Sequence, residues 1–263
     1  MQVFICLLLV SFISAQYSAN LTNYAIIAAT TVASAGSTYV IGDVAISPGT
    51  SNTGLVQGWN VIGSIRITDP AAIQAQQDLN IAFNVLGNLT ASPTLTGTDL
   101  ATLILNPGVY NFTTSAITLS GNLTLNGTGP FVFQISTTFI TSNNCHIILL
   151  NGATASHIYF QVGSSITIGT GCIINGLLLA GTSITVNGAT VNGGLYAKDA
   201  AVTITQSSII LAVTPYCYIG PTVVTVPDYT TCSTVHHSAG SHRVNIIHFV
   251  LLALAIAFST ITV

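Results

Sequence analysis

The chain has 263 residues; 50% of them are hydrophobic, only 3% are charged, and the formal net charge is −3. With 3 Lys and Arg in total it offers no basic patch to neutralise a phosphate backbone, which argues against nucleic acid as a partner. Its polarity must come from Thr, Ser, Asn and Gly, so neither the disordered class nor the ordinary cytosolic class fits.

The N-terminus predicts a secretory signal peptide. Residues 1–15, MQVFICLLLVSFISA, form an apolar run that ends in small residues and is too short to span a bilayer. The run lacks a preceding Lys or Arg, but its length and its small residues place a cleavage site near Ala15. The mature chain is therefore expected outside the cell, with its main domain over residues 16–214.

Residues 69–86, DPAAIQAQQDLNIAFNVL, predict a helix within an otherwise β-rich chain. Asp and Pro occupy the cap and first-turn positions, and Gly87 follows the last turn. The helix should lie along one side of the fold and bury an apolar stripe, and Tyr159, Leu178 and Tyr196 should pack against it. The stripe consists of Ala72, Ala75, Leu79, Ala82, Phe83 and Leu86.

An internal repeat in the second half predicts a β-solenoid. Thr167, Thr185 and Thr203 recur every 18 residues, and apolar residues flank each of them. Because side chains alternate along a strand, the apolar residues should stack inside while the threonines line up outside. Each repeat is then one coil of a roughly triangular solenoid. Asn-Gly pairs predict left-handed corners at Asn126, Asn151, Asn175, Asn187 and Asn192.

The C-terminal residues predict a stalk and an anchor. Residues 215–241 would form a cap and a Ser/Thr/His stalk, in which His236 and His237 suit a polar linker better than a metal site. Residues 242–263 are a hydrophobic signal, and the small residues before them predict GPI attachment at Ser238. A single-pass helix over residues 246–263 is the alternative; either anchor tethers the protein to a membrane and leaves the fold outside the cell.

Sequons and cysteines fit the same extracellular route. The Asn-x-Thr sequons predict glycosylation at Asn20, Asn88, Asn111, Asn122 and Asn126. Once Cys6 leaves with the signal peptide, the remaining cysteines are Cys145, Cys172, Cys217 and Cys232. Their spacing is unlike that of a zinc site, so we expect disulfides and no bound metal or cofactor. The pairing stays open, although proximity along the coils suggests Cys145 with Cys172 and Cys217 with Cys232.

Several motifs, in this order along the chain, resemble the ice-binding protein-like (antifreeze) family. The resemblance runs from about Asn20 to Ser208 and includes YAIIAATTV and IGDVAISPG, the helix DPAAIQAQQDLNIAFN, LNPGVYNF, FVFQI, IYFQVGSS and SITVNGATVNGGLYAKDAAVTI. It implies a mainly β fold: a right-handed discontinuous β-helix flanked by one long α-helix, with one flat face that adsorbs to ice. We expect a monomer whose partner is the ice crystal surface.

Ice binding of this kind needs a flat, uncharged array, because methyl groups order water and hydroxyl groups anchor it. One candidate is the column of Thr167, Thr185 and Thr203. The resemblance implies a second tract just beyond that column, formed by Thr141, Asn144, Thr170, Asn187, Thr190 and Thr205. The chain departs from strong ice binders in two ways, because Ile140 takes the column position before Thr167 and the sequon at Asn122 lies near the expected face.

Other interpretations of the same residues are weaker. Outward Thr and Ser also suit any exposed strand, although their alignment at one period favours a functional column. Catalysis in a solenoid would require carboxylates gathered in one groove, whereas the Asp residues do not recur in adjacent coils and the chain has no Glu. We therefore expect no enzyme.

The alternative function is a cell-surface structural or carbohydrate-binding adhesin on the same fold, covered by glycans or bound to a polysaccharide.

Overall fold

The computed structural model describes residues 21, 23–92, 94–112, 114, 116–211, 216–219 and 222–225. The chain divides into compact units at residues 1–216 and 217–263, and strands of the first unit pair in parallel. The expected signal peptide, the sequon at Asn20, Cys232, the stalk histidines, Ser238 and the C-terminal hydrophobic segment lie outside the described residues. Within the described part of the chain, no helix is long and apolar enough to cross a bilayer.

The elements follow one another as short strands interrupted by a long helix. The first strands are β1 (Tyr24–Ala28), β2 (Thr31–Ala35), β3 (Tyr39–Ile41), β4 (Asp43–Ile46), β5 (Ser51–Thr53), β6 (Val61–Ile62) and β7 (Ile65–Ile67). Helix α1 spans Pro70–Gly87. After it come β8 (Thr94–Leu95), β9 (Ile104–Leu105), β10 (Gly108–Phe112), β11 (Ile117–Leu119), β12 (Asn122–Asn126), β13 (Phe131–Ile135), β14 (Phe139–Thr141), β15 (His146–Leu150), β16 (Ile158–Val162), β17 (Ile166–Ile168), β18 (Ile173–Ala180), β19 (Ile184–Asn187), β20 (Thr190–Ala197), β21 (Val202–Thr205) and β22 (Ser208–Ile210). Strands β23 (Tyr216–Ile219) and β24 (Thr222–Thr225) pair with each other in a separate sheet.

Parallel pairing stacks the solenoid strands into three ladders, which we name as faces. The helix face contains, in order, β8, β10, β13, β16, the second halves of β18 and β20, β1, β4 and β7. The Thr face contains β11, β14, β17, β19, β21, β2 and β5. The third face contains β9, β12, β15, the first halves of β18 and β20, β22, β3 and β6. Strands β18 and β20 bend from the third face to the helix face, so the corners predicted at Asn175 and Asn192 fall inside continuous strands.

The solenoid is discontinuous, as the resemblance implies. The first coil of the chain stacks on the last one, because Ile26 pairs with Leu195 and Ala33 pairs with Thr203. Helix α1 then returns along the helix face, where it contacts β4, β1, β16 and β13, to the opposite end at which β8 begins. An 18-residue helix spans about 27 Å, which matches five to six rungs at about 4.8 Å each.

The interior is a continuous stack of apolar side chains. Phe133 and Phe160 stack with ring centroids 4.6 Å apart, and Phe139 lies 5.0 Å from Phe160. Under the Thr face, Ile166, Ile184 and Val202 occupy successive rungs and are buried. Each inward side chain contacts the one on the next rung, so the apolar side chains stack at the same spacing as the hydrogen-bonded strands.

Helix α1 covers the helix face with the predicted stripe. Asp69 caps it by accepting a hydrogen bond from the Ala72 N–H at 2.7 Å. The stripe residues are buried except for Phe83, which is half-buried, and they pack against residues that include Tyr159 and Tyr196. Our prediction for Leu178 was wrong: its side chain points into the solenoid, and its neighbours Leu177 and Leu179 contact the helix layer instead.

We expect Leu79→Ala to lower the free energy of unfolding by about 2–5 kcal/mol, because Leu79 is 0% exposed beneath α1 and its truncation leaves a cavity. Denaturant unfolding measures this loss. Ile81→Ala is the matched control on the same helix, since Ile81 is 42% exposed, and it should change stability by less than about 1 kcal/mol. Equal losses in both variants would contradict the helix orientation.

Candidate functional site

A column of small side chains runs along the outside of the Thr face. The strand register aligns Thr167 with Thr185 and Thr185 with Thr203, which confirms the predicted alignment. All three side chains are half-buried or exposed, whereas the residues on either side of each threonine are buried. Over the strands of the Thr face, the column is Thr118, Ile140, Thr167, Thr185, Thr203, Ala33 and Thr53.

Further small residues flank this column on the same face. On one side, Asn187, Thr205 and Ala35 align in consecutive strands. On the other side lie Ser165 and Ser183, whose hydroxyl oxygens are 3.1 Å apart, and then Thr31 paired with Ser51. Apart from Ile140, which is 45% exposed, these outward positions carry only Thr, Ser, Ala or Asn. The face is therefore a parallel sheet of small, uncharged side chains.

Charged side chains of the described residues are placed around this face and not on its strands. Arg66 lies 3.2 Å from Asp69 and 3.8 Å from Asp43, both close to the helix face. Lys198 contacts Asp199 at 2.8 Å in the turn after β20. Asp99 pairs in register with Thr118 just before the first strand of the Thr face, so this carboxylate stands at the end of the column, where it accepts hydrogen bonds from Ser120. Burial opposes its ionisation, but these hydrogen bonds outweigh burial and hold the pKa of Asp99 below its ordinary value.

Residues 26–210 match the model of the family described as ice-binding-like. This chain belongs to the ice-binding-like family. It is 38% identical over 216 residues to an ice-binding protein of Nostoc sp. (strain HG1). The aligned residues cover 79% of this chain and 78% of the relative. A Colwellia ice-binding protein is 32% identical over 186 residues, or 65% of this chain and 73% of the relative.

Solved structures of ice-binding proteins share the fold. The crystal structure of the ice-binding protein from the Antarctic ascomycete Antarctomyces psychrotrophicus superposes with a TM-score of 0.69 at 34% identity, covering 73% of this chain and 96% of that one. An ice-binding protein from an Arctic yeast gives a TM-score of 0.70 at 25% identity, covering 77% of this chain and 96% of the other. The comparisons agree with the solenoid and helix described above.

The second predicted tract does not form one surface in this family member. Thr141 was expected outside, but it is 5% exposed and its hydroxyl oxygen accepts a hydrogen bond from the Gly169 N–H at 2.9 Å. The reason is strand parity: Ile140 points outward, so the next residue must point inward. The prediction for Thr141 was therefore wrong.

The remaining tract residues divide between the Thr face and its border. Asn187 and Thr205 lie on the Thr face. Asn144 and Thr170 are exposed at the corner beyond it, where the Asn144 N–H donates to the Thr170 carbonyl at 2.8 Å. Thr190 lies across that corner on the third face, paired with Ser208.

Sequence reasoning missed part of the column. Thr118 fits the same alternation between Ile117 and Leu119, so the sequence carried a signal for it. Ala33 and Thr53 gave no such signal, because they reach the column only through the stacking of the first coils on the last one.

The described sequons do not lie on the strands of the Thr face. Asn122 is exposed on β12 of the third face, in the same strand as Asn126, whose side-chain amide donates to Asn106 at 3.2 Å. Asn111 is half-buried on β10 of the helix face, and Asn88 is exposed at the end of α1. Asn122 begins β12 directly after the corner that follows β11, so it lies beside the Thr face, as expected, but not in the threonine column.

The third face differs chemically from the Thr face. Its outward positions include the exposed Ile104 (70%), Ile148 (37%), Leu150 (47%) and Ile173 (40%). Thr124 separates Ile104 from Ile148 in the register of this face. Large aliphatic side chains give this surface a different outline from a column of threonines.

We expect Thr141→Val to lower the free energy of unfolding by about 1 kcal/mol, because the half-buried Gly169 N–H would lose its acceptor at nearly constant side-chain volume. Chemical denaturation measures the change. Thr185→Val is the matched control, since its side chain is on the outer surface and should cost less than about 0.5 kcal/mol. Unchanged stability in the Thr141 variant would contradict the inward placement.

Proposed function

We propose that this chain binds ice through the Thr face and thereby inhibits ice growth or recrystallisation. The observation that carries the proposal is the register that aligns Thr118, Thr167, Thr185, Thr203 and Thr53 on one uncharged sheet. Family membership supports it, since the relatives named above are ice-binding proteins.

The physical mechanism depends on a regular repeat of weak contacts. Backbone hydrogen bonds hold successive rungs about 4.8 Å apart, so methyl and hydroxyl groups recur at that interval along the column. Each group contributes little alone. Because all of them belong to one rigid sheet, their contacts with ordered water form together and the adsorbed molecule dissociates slowly. Bound molecules then pin the growing crystal surface and curve it, which lowers the local freezing point.

The same residues support a non-enzymatic function. Among the described carboxylates, Asp43 and Asp69 pair with Arg66, Asp199 pairs with Lys198, and Asp99 binds Ser120. Asp78 accepts a hydrogen bond from Gln74 on α1. Each of these carboxylates has a structural role, and they are spread over different coils and the helix.

The adhesin alternative is not favoured. A glycan at Asn122 or Asn126 that covered the threonine column would have supported it, but both residues lie on the third face. A glycan at either position would project from a different side of the solenoid.

We expect Thr185→Tyr to reduce ice-shaping and thermal hysteresis at least about tenfold, because a phenol ring in the middle of the column separates the flat sheet from the crystal. Ile148→Tyr is the matched control, with the same new side chain on the third face. It should keep activity close to that of the unmutated protein, while circular dichroism checks that both variants fold. Normal crystal growth in the presence of the unmutated protein would overturn the function, and equal activity of both variants would overturn the assignment of the face.

Ile140→Thr should increase thermal hysteresis, because it replaces the large aliphatic side chain that interrupts the column between Thr118 and Thr167. The comparison is made at equal protein concentration against the unmutated chain. Ile173→Thr, on the third face, removes an exposed isoleucine without changing the column. A similar increase from both substitutions would mean that general surface polarity, and not the column, determines activity.

A further inference from the structure

Two buried cysteines meet at the corner between the Thr face and the third face. Cys145 and Cys172 are 0% and 1% exposed, and their sulfur atoms lie 2.6 Å apart. The Ile173 N–H donates to the Cys145 carbonyl at 2.9 Å, so the two cysteines occupy the same position in successive coils. We propose that Cys145 and Cys172 form a disulfide that ties these two coils together.

The other coils show what this corner requires. The position is taken by Gly121 in the preceding coil and by Ala189 and Ser207 in the following ones, as the pairing of the adjacent residues shows. A small inward side chain is therefore sufficient here. Since alanine fills the position in one coil, packing alone does not account for cysteine at two consecutive rungs.

The coil between the two cysteines is the one that most needs a constraint. Cys145 and Cys172 are 27 residues apart, whereas Ala189 and Ser207 are 18 residues apart. The extra residues form an excursion after β15 that includes a short 3-10 helix, Ala155–His157. A crosslink between the ends of this long coil removes conformational freedom from the unfolded chain and so stabilises the fold.

The cysteine corner also supports the edge of the Thr face. The Cys172 sulfur lies 3.3 Å from the Thr141 hydroxyl oxygen, which in turn accepts the Gly169 N–H. Gly169 and Thr170 follow strand β17 of the Thr face directly. The disulfide would therefore hold the corner at which two Thr-face strands turn.

Disulfide formation requires an oxidant, for which a small-molecule disulfide such as oxidised glutathione suffices. The Cys145 thiolate attacks one sulfur of the glutathione disulfide, which forms a mixed disulfide and releases a glutathione thiolate. The Cys172 thiolate then attacks the Cys145 sulfur of the mixed disulfide and releases the second glutathione thiolate. The two cysteines are oxidised, one glutathione disulfide is reduced to two thiols, and the two cysteine protons pass to the released thiolates.

The burial of the pair determines when this exchange can occur. Burial, together with the neighbouring Cys172, raises the pKa of the Cys145 thiol well above its ordinary value, so few thiolates exist in the folded protein at neutral pH. We therefore expect the bond to form before the coils close, and to form slowly in reduced protein that is already folded.

The first test is to unfold the protein in denaturant, refold it with a glutathione redox buffer, alkylate it under denaturing conditions and map the peptides by mass spectrometry. We expect the peptides containing Cys145 and Cys172 to be linked to each other. Alkylated, free thiols at both residues would overturn the proposal, as would a link from either cysteine to Cys217 or Cys232.

The second test separates the crosslink from simple packing. Reduction under denaturing conditions followed by refolding with reductant should lower the melting temperature of the unmutated protein by about 5–10 °C. The double variant Cys145→Ala and Cys172→Ala should melt at the same temperature with and without reductant. The variant Cys217→Ala and Cys232→Ala should still respond to reduction. The proposed disulfide would be contradicted if reduction changed the melting temperature of the Cys145 and Cys172 variant but not that of the Cys217 and Cys232 variant.

Discussion

The structure depends on the parallel hydrogen-bond ladder that holds successive coils in register. On the Thr face, this ladder pairs Ile166 with Ile184 and Val202 on the inside and Thr167 with Thr185 and Thr203 on the outside. Since both sets share one backbone, the apolar stack that stabilises the fold also sets the spacing of the outward threonines. Stability and surface pattern therefore follow from the same interaction, and a coil that slipped by one residue would bury its threonine and expose its core.

The strands of successive coils stay in register although the coils differ in length, because the extra residues lie at the corners. The excursion between β15 and β16 adds residues without displacing Phe160 from its position beside Phe133. The two coils before the helix join the opposite end of the stack and extend the Thr face by Ala33 and Thr53. The helix permits this arrangement, since it returns the chain along a face that its apolar stripe covers.

Local pattern in the sequence was enough to predict the helix, the repeat and the outward direction of Thr167, Thr185 and Thr203. Thr141 shows an error that the same pattern could have prevented, because the outward Ile140 required its neighbour to point inward. Ala33 and Thr53 were different: pairing between distant segments places them, and no local periodicity of β2 or β5 indicates which strand they will join. The position of Asn122 likewise depended on where the corner after β11 falls.

The water structure over the Thr face tests the central claim most directly. In a high-resolution crystal structure with the Thr face free of lattice contacts, we expect rows of ordered water along Thr167, Thr185 and Thr203, repeating with the rungs at about 4.8 Å. The third face, with Ile104 and Ile148 on its surface, should lack such rows. Irregular water on the Thr face, or threonines of the column in differing orientations, would contradict the account.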